Sequence, residues 1–236
     1  MAEKRYVYAF EEAYGLGKEL LGGKGAGLAE MTHIGVPVPQ GFTISTDACT
    51  LYYESGKKIP EFVEKQIFDA VAEIERKSGK KFGGDKNPLL VSVRSGARVS
   101  MPGMMDTILN LGLNDVSAAA IARETGNERF ALDSFRRFIL MFTNIAKGHP
   151  RTDMDKMLDD LKKSRGYKLD TEVTSDELRE LVKKYKEYYK KTFGEEFPSD
   201  PRVQLMEAVA AVFRSWDNPR ANVFRQMYGI PYSWVT

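Results

Sequence analysis

The chain has 236 residues, 42% hydrophobic and 29% charged, the composition of a globular protein with room for one large core or two smaller ones. Its 35 basic and 33 acidic residues are intermixed and leave a formal charge of +2, so no broad field points to nucleic acid or an anionic membrane, and any basic site must be local. No apolar run approaches the roughly 20 residues of a membrane helix; one cysteine, Cys49, and no basic-then-apolar leader point to a reducing cytoplasm as the expected compartment.

In chain order, Tyr6, Tyr8 and Phe10 alternate as one face of a strand. The stretch Leu21-Gly22-Gly23-Lys24-Gly25-Ala26-Gly27 then predicts a loop opening a helix that carries Leu28 and Met31. That helix is expected to stop at Gly35, because Val36-Pro37-Val38-Pro39 favours extended backbone. Gly41 to Ile44 reads as a short strand. The spacing of Val63, Ile67, Ala70, Val71 and Ile74 predicts a helix over 60–77, and Leu89 to Arg94 is the clearest strand.

After Arg94 comes the loop SGARVSMPGMMDT, broken by Pro102-Gly103, and then a second apolar stretch from Ile108 to Leu113. Four helical patterns follow from about Asn114 to Gly194, with Phe135, Phe138, Ile139 and Phe142 as the strongest apolar face. The third and fourth are expected over 153–165 and 174–193. Pro198-Ser199-Asp200-Pro201 breaks the pattern before a further helix over 203–216, and Ile230 to Thr236 reads as the approach to a strand. The expected class is α+β: an α/β lobe over 1–113, an all-helical insertion over 114–197, and a return to the first lobe over 198–236.

Gly22-Gly23-Lys24-Gly25 lets backbone approach an anion closely while Lys24 supplies a point charge. The run departs from G-x-x-x-x-G-K-[ST], so by itself it also fits a tight turn with a solvated lysine. Arg94 closes a strand, where α/β proteins place ligand sites; a structural ion pair is the alternative. Gly96, Ser100, Pro102, Gly103 and Thr107 form a cover able to offer backbone and hydroxyl donors to phosphate. Met101, Met104 and Met105 fit either an adenine surface or core.

His33 and His149 lack the glycine- and threonine-rich setting of a phosphocarrier histidine and read as structural. Asp106 is the one carboxylate close to the loop, and no acidic pair has a spacing suited to magnesium. Arg136 and Arg137, adjacent on a helix, cannot both face one ligand. Arg214, Arg220 and Arg225 flank Trp216-Asp217-Asn218-Pro219 and read as solvated or ion-paired.

Together LLGGKGAGLAEM, GVPVPQGFTIST, LLVSVRSGARVSMPGMMDTILNLGLND and AVFRSWDNPRA, in this order, resemble the N-terminal region of the pyruvate, phosphate dikinase family from about Arg5 onward. The segment beginning VRSGARVSMPGMMDT discriminates, because the related phosphoenolpyruvate synthases carry a more acidic loop after the arginine. The resemblance implies a partial ATP-grasp type nucleotide-binding domain with an all-helical insertion. In it Lys24 and Arg94 contact ATP phosphates and stabilise their charge, while Gly103, Met105 and Thr107 fall in the loop that closes over ATP. Arg137 matches an arginine that helps place inorganic phosphate.

The same resemblance implies Mg2+ and a monovalent cation as cofactors, with the adenine pocket and the magnesium carboxylates beyond this chain's last residue. It implies a swivelling phosphohistidine domain as partner and a homodimeric parent. The family reaction moves the β-phosphoryl of ATP to histidine and the γ-phosphoryl to phosphate, then makes phosphoenolpyruvate from pyruvate. The chain alone is therefore expected to be inactive. A non-catalytic docking module, using the amphipathic helical faces, is the alternative from another class.

Overall fold

The computed structural model describes residues 4–234. Two compact units divide the chain: one gathers Met1–Gly79, Arg94–Thr107 and Val209–Thr236, the other Lys80–Val93 and Ile108–Ala208.

In unit one, β1 (Val7–Ala9) pairs antiparallel with β2 (Phe42–Ile44), Val7 opposite Ile44 and Ala9 opposite Phe42. The strand is shorter than the Tyr6 to Phe10 alternation predicts, because Phe10 already opens a 3-10 turn; Val7 is its buried residue, preceded by buried Tyr6. Between the two strands runs α1 (Gly17–His33), which takes in the glycine-rich stretch. Inside the helix, beyond its first residue Gly17 at φ 79, Gly22 with φ 68 and ψ 168 is the one that leaves helical backbone, so this segment is a kinked helix and not the expected loop. Tertiary packing overrides the glycines' poor helix propensity. Leu21 and Ala29 bury against Ala13, with Tyr8 and Ala26 beside them, and a Cβ on Gly25 would stand 2.8 Å from the Thr43 side chain of β2. The helix ends as expected, with Gly35 at φ 81 just beyond it.

Helix α2 (Thr46–Glu54), absent from the sequence expectations, buries Ala48, Cys49 and Tyr52. Burial pushes the Cys49 thiol well above its usual range. Helix α3 (Glu61–Ser78) buries Val63, Ile67, Phe68, Val71 and Ile74 along one stripe and stops at left-handed Gly79.

Unit two opens with β3 (Lys81–Phe82) parallel to β4 (Pro88–Leu89). The expected single strand from Leu89 to Arg94 is split after Leu89: β5 (Val91–Arg94) pairs with β6 (Thr107–Leu111) and not with β3. The chain passes out of this unit at Arg94 and re-enters it after Thr107. Four helices follow, α4 (Asp115–Thr125), α5 (Glu128–Ile145), α6 (Thr152–Arg165) and α7 (Ser175–Phe193). Their ends are written locally. Asn114 with Ser117 and Thr174 with Glu177 form capping boxes, and Gly126, Gly166 and Gly194 close three C-termini in left-handed backbone.

The core of this unit is aromatic. Phe138, Phe142 and Tyr189 surround Phe197 with ring centroids 5.8, 5.4 and 5.3 Å away. Gln204, fully buried, donates to the carbonyls of Leu113 (2.9 Å) and Pro198 (2.8 Å) and accepts from the Gly112 amide (2.9 Å), so a costly polar group is satisfied.

Gln204 lies on α8 (Pro201–Arg214), which begins two residues before the expected start and gives way to a 3-10 turn that holds Trp216. In unit one, the Tyr53 hydroxyl donates to the Phe213 carbonyl at 2.8 Å. Helix α9 (Pro219–Tyr228) starts on proline and ends at left-handed Gly229. Residues 230–234 form a turn and not a strand; the rest of that expected element lies outside the described residues. No helix among the described residues is long and apolar enough to cross a membrane.

Replacing Phe142 by Ala should cost about 3–5 kcal/mol, since the ring is fully buried against two other phenylalanines. Urea unfolding measures it, and a loss under about 1 kcal/mol would contradict a tightly packed aromatic core.

Candidate anion-binding site

The kink in α1 exists because another backbone lies against it. A Cβ on Gly22 would fall 1.5 Å from the carbonyl oxygen of Gly96, a place no side chain can share. The Gly23 amide, freed by the kink, donates to the Ala97 carbonyl at 2.9 Å. Lys24 donates through Nζ to the Ser95 carbonyl at 2.8 Å. A Cβ on Gly96 would in turn lie 3.2 Å from the Cβ of Lys24. Three consecutive residues of α1 thus engage three consecutive residues of the loop after β5, all within unit one.

This approach gathers positive charge. Partial burial, and after it repulsion from the Arg94 guanidinium, holds the Lys24 ammonium below the usual lysine range. Among the described residues neither Lys24 nor Arg94 has a carboxylate partner. The two cations lie within electrostatic reach of each other and neither is paired with an acid, an arrangement open to an anion. A third basic residue of the same loop, Arg98, has its Nε buried without a hydrogen-bond partner. Sequence reasoning passed over Arg98; the signal available was its place in the SGAR run directly after Arg94.

The remainder of the loop is organised differently. Met101 is buried, and so takes the core reading, while Met104 and Met105 are half-buried. Pro102 and Gly103 are exposed, Gly103 at φ 73. Asp106 pairs with Arg220 and accepts from Asn218 Nδ2 at 2.9 Å. Thr107 begins β6. Gly96, Gly103 and Met105 therefore belong to one loop, bounded by Arg94 at the end of β5 and Thr107 at the start of β6, and Lys24 meets that loop at its first residue.

Arg137 belongs to unit two. It is exposed and pairs through Nε with Asp133 at 2.9 Å, whereas its neighbour Arg136 is buried and pairs with Asp133 and Asp170. The two diverge as adjacent helical positions must. Both histidines make structural contacts. His33 stacks on Tyr14 at 3.7 Å between centroids, and His149 Nε2 hydrogen-bonds the Tyr188 hydroxyl at 2.9 Å, which donates to Asp153. Arg225 is buried over the Trp216 ring, 4.1 Å from its centroid, and donates to the Trp216 carbonyl. Among the described residues there is no group of three or more His, Cys, Asp or Glu side chains able to hold a metal ion.

Short strands, a kinked glycine-rich helix and a basic loop pressed on it make up a unit of mixed helix and sheet. Comparison with known sequences is more specific. The family model described as "Pyruvate phosphate dikinase, AMP/ATP-binding domain" matches residues 18–59 and 55–236, and the chain belongs to that family. It is 56% identical over 233 residues to pyruvate, phosphate dikinase of Clostridium symbiosum, covering 98% of this chain and 27% of the relative. Identity is 51% over 228 residues to pyruvate, phosphate dikinase of Entamoeba histolytica, covering 95% of this chain and 25% of the relative. Against the chloroplastic pyruvate, phosphate dikinase 1 of Zea mays it is 53% over 210 residues, covering 89% and 22%. The chain thus spans about a quarter of the length of these relatives.

Two outcomes are expected from the geometry. Gly22→Ala, with a clash against backbone and a positive φ, should destabilise the protein by more than about 1 kcal/mol and speed hydrogen exchange at the Gly23 amide; unchanged exchange would contradict the contact. In an NMR titration of labelled lysines, Lys24 should titrate below its ordinary range, and Arg94→Ala should raise it only in part, because burial is the larger cause. Full restoration by that substitution would contradict this order of causes.

Proposed function

We propose that this chain supplies the triphosphate-gripping lobe of an ATP-grasp type site in a pyruvate, phosphate dikinase. The observation that supports this most directly is the contact of Gly22 with Gly96, which sets Lys24 beside Arg94 without an intervening acid. Residues 1–113 and 198–236 form the gripping lobe on this reading, and 114–197 is the helical insertion.

The lobe's part in the reaction is electrostatic. Transfer of a phosphoryl group spreads negative charge over its oxygens and needs positioning more than covalent help. Lys24 and Arg94, held before ATP arrives, stabilise that charge without reorganising. Gly103, Met105 and Thr107 cover the nucleotide from the loop. Arg137, if released from Asp133, places inorganic phosphate. Magnesium would supply neutralisation of the phosphate charge in the parent enzyme. The described residues do not form its site: no acidic cluster able to hold a metal is among them, and Asp106, the nearby carboxylate, is already engaged by Arg220 and Asn218. On this reading its protein ligands and the adenine pocket are supplied by other parts of the parent enzyme, which also uses a monovalent cation. The phosphohistidine domain and a second subunit are its expected partners, and the cytoplasm its expected compartment.

The reaction proposed for the full-length enzyme converts ATP, phosphate and pyruvate to AMP, pyrophosphate and phosphoenolpyruvate through a histidyl phosphate. Lys24→Ala or Arg94→Ala in that enzyme should lower ATP-dependent histidine phosphorylation by roughly 100-fold or more, as loss of a preorganised charge does elsewhere. Wild-type rates in both variants would remove the site assignment. Pyrophosphate release that depends on added phosphate separates this reading from a phosphoenolpyruvate synthase, in which water takes the γ-phosphoryl.

A further inference from the structure

The loop between β5 and β6 is held at two places by different means. Its first half lies on α1 through the contacts of Ser95, Gly96 and Ala97. Its second half is held by side chains at the start of α9. Arg220 donates through Nε to the Met104 carbonyl at 2.9 Å and pairs through its Nη2 with Asp106 Oδ1. Asn218 donates through Nδ2 to Asp106 Oδ2 at 2.9 Å, so both carboxylate oxygens are taken.

Between the two holds stands a single turn. The Met104 amide donates to the Met101 carbonyl at 3.2 Å, with Pro102 and Gly103 at its centre and Gly103 at φ 73. These are the residues and the sign of φ that a type II turn requires. Met101 is buried, whereas Pro102 and Gly103 are exposed, and a Cβ on Gly103 would meet nothing within 4 Å. The tip is therefore free and its C-terminal flank is gripped. One guanidinium takes the carbonyl of residue 104 and the carboxylate of residue 106, straddling Met105, and the next residue is Thr107. That two-pronged grasp suits a planar fork and not an ammonium. Arg220 keeps 52% of its side-chain exposure, so the pair contributes geometry more than stability.

Resting on the phosphate-grip reading above, we propose that Arg220, with Asp106 and Asn218, is a positioning clamp. It sets where the Gly103 amide, Met105 and Thr107 stand over the nucleotide phosphates, without itself touching the nucleotide.

The test uses Arg220→Ala, Arg220→Lys and Asp106→Asn in the full-length enzyme. Histidine phosphorylation by ATP is followed beside hydrogen exchange over 101–107 and over 22–25. Arg220→Ala should lower kcat by roughly 10- to 100-fold, with the smaller part of the loss in KM for ATP. Exchange should rise over 101–107 and stay unchanged over 22–25. Lysine should not rescue kcat, and combining Arg220→Ala with Asp106→Asn should add little to the larger single effect.

Wild-type kcat in Arg220→Ala, or a fall in kcat with exchange over 101–107 unaltered, would overturn the clamp. So would full rescue by lysine. If Arg220→Ala does not fold, Asp106→Asn alone is read by the same two measurements against the same outcomes. Arg94→Ala is carried in parallel. Its failure to lower phosphorylation rejects the phosphate-grip reading, whereas loss there with wild-type behaviour in the clamp variants rejects only the clamp.

Discussion

Two backbones meet where α1 bends, and the candidate site depends on that meeting. Side chains keep chains apart, and a single methyl on Gly22 would already overlap the carbonyl of Gly96. With that methyl absent, the loop after β5 settles on the helix and its carbonyls take up the Gly23 amide and the Lys24 ammonium. The positions of Lys24 and Arg94 are consequences of this approach. Their mutual repulsion and the partial burial of Lys24 oppose the arrangement. Packing offsets it: Leu21 and Ala29 anchor α1 to its small core, and Gly25 seats it against Thr43. Under the proposed function, a pair of cations held by packing, not by acids, is prepared for an anion before one arrives.

The helical unit is stabilised by other means. Its energy comes from a contiguous aromatic core around Phe197, with helix ends closed by their own neighbours in sequence. Many of its charged residues form pairs such as Lys186 with Asp115 and Arg179 with Glu128. Arg137 is held in the same way by Asp133. Its proposed work on phosphate thus requires an anion that competes with a neighbouring carboxylate, whereas Lys24 and Arg94 face no such competitor.

What could be read in advance follows from how local each signal is. Helices α3, α6 and α7 carry apolar stripes at helical spacing, and their boundaries are legible to within a residue or two. Helix α2 is not, because its nine residues bury only Ala48, Cys49 and Tyr52 from the middle of the segment, too few to show a period. The glycines of α1 read as a loop, since their isolated preference is against helix; the packing that reverses it lies in Thr43 and Gly96. Likewise the strand through Leu89 to Arg94 looks continuous in one dimension and is divided only by its two different partners. Lys24 and Arg94 were singled out separately by residue type. Their adjacency spans a gap in sequence that no period encodes, and the family resemblance supplied it. Arg220 and Asp106, 114 residues apart, stood in two recognised motifs with nothing to join them.

The two holds on the loop differ in kind, and under the proposed function the difference suits a loop that admits and releases a nucleotide. Backbone contacts at Gly22, Gly23 and Gly96 depend on shape and on amide hydrogen bonds, which salt and moderate changes of pH leave almost untouched. The grip of Arg220 on Asp106 is a half-exposed ion pair, weakened by screening and open to competition from a bound anion. A loop fixed rigidly at both ends could not move, and one free at both could not place donors accurately. Here the end nearest Lys24 and Arg94 is rigid, the turn at Pro102-Gly103 is unencumbered, and the far end is held by a contact that can yield. Under the proposed function, the charge-stabilising groups are thus constant through the cycle, while the covering groups are placed by an interaction that the phosphates themselves can loosen.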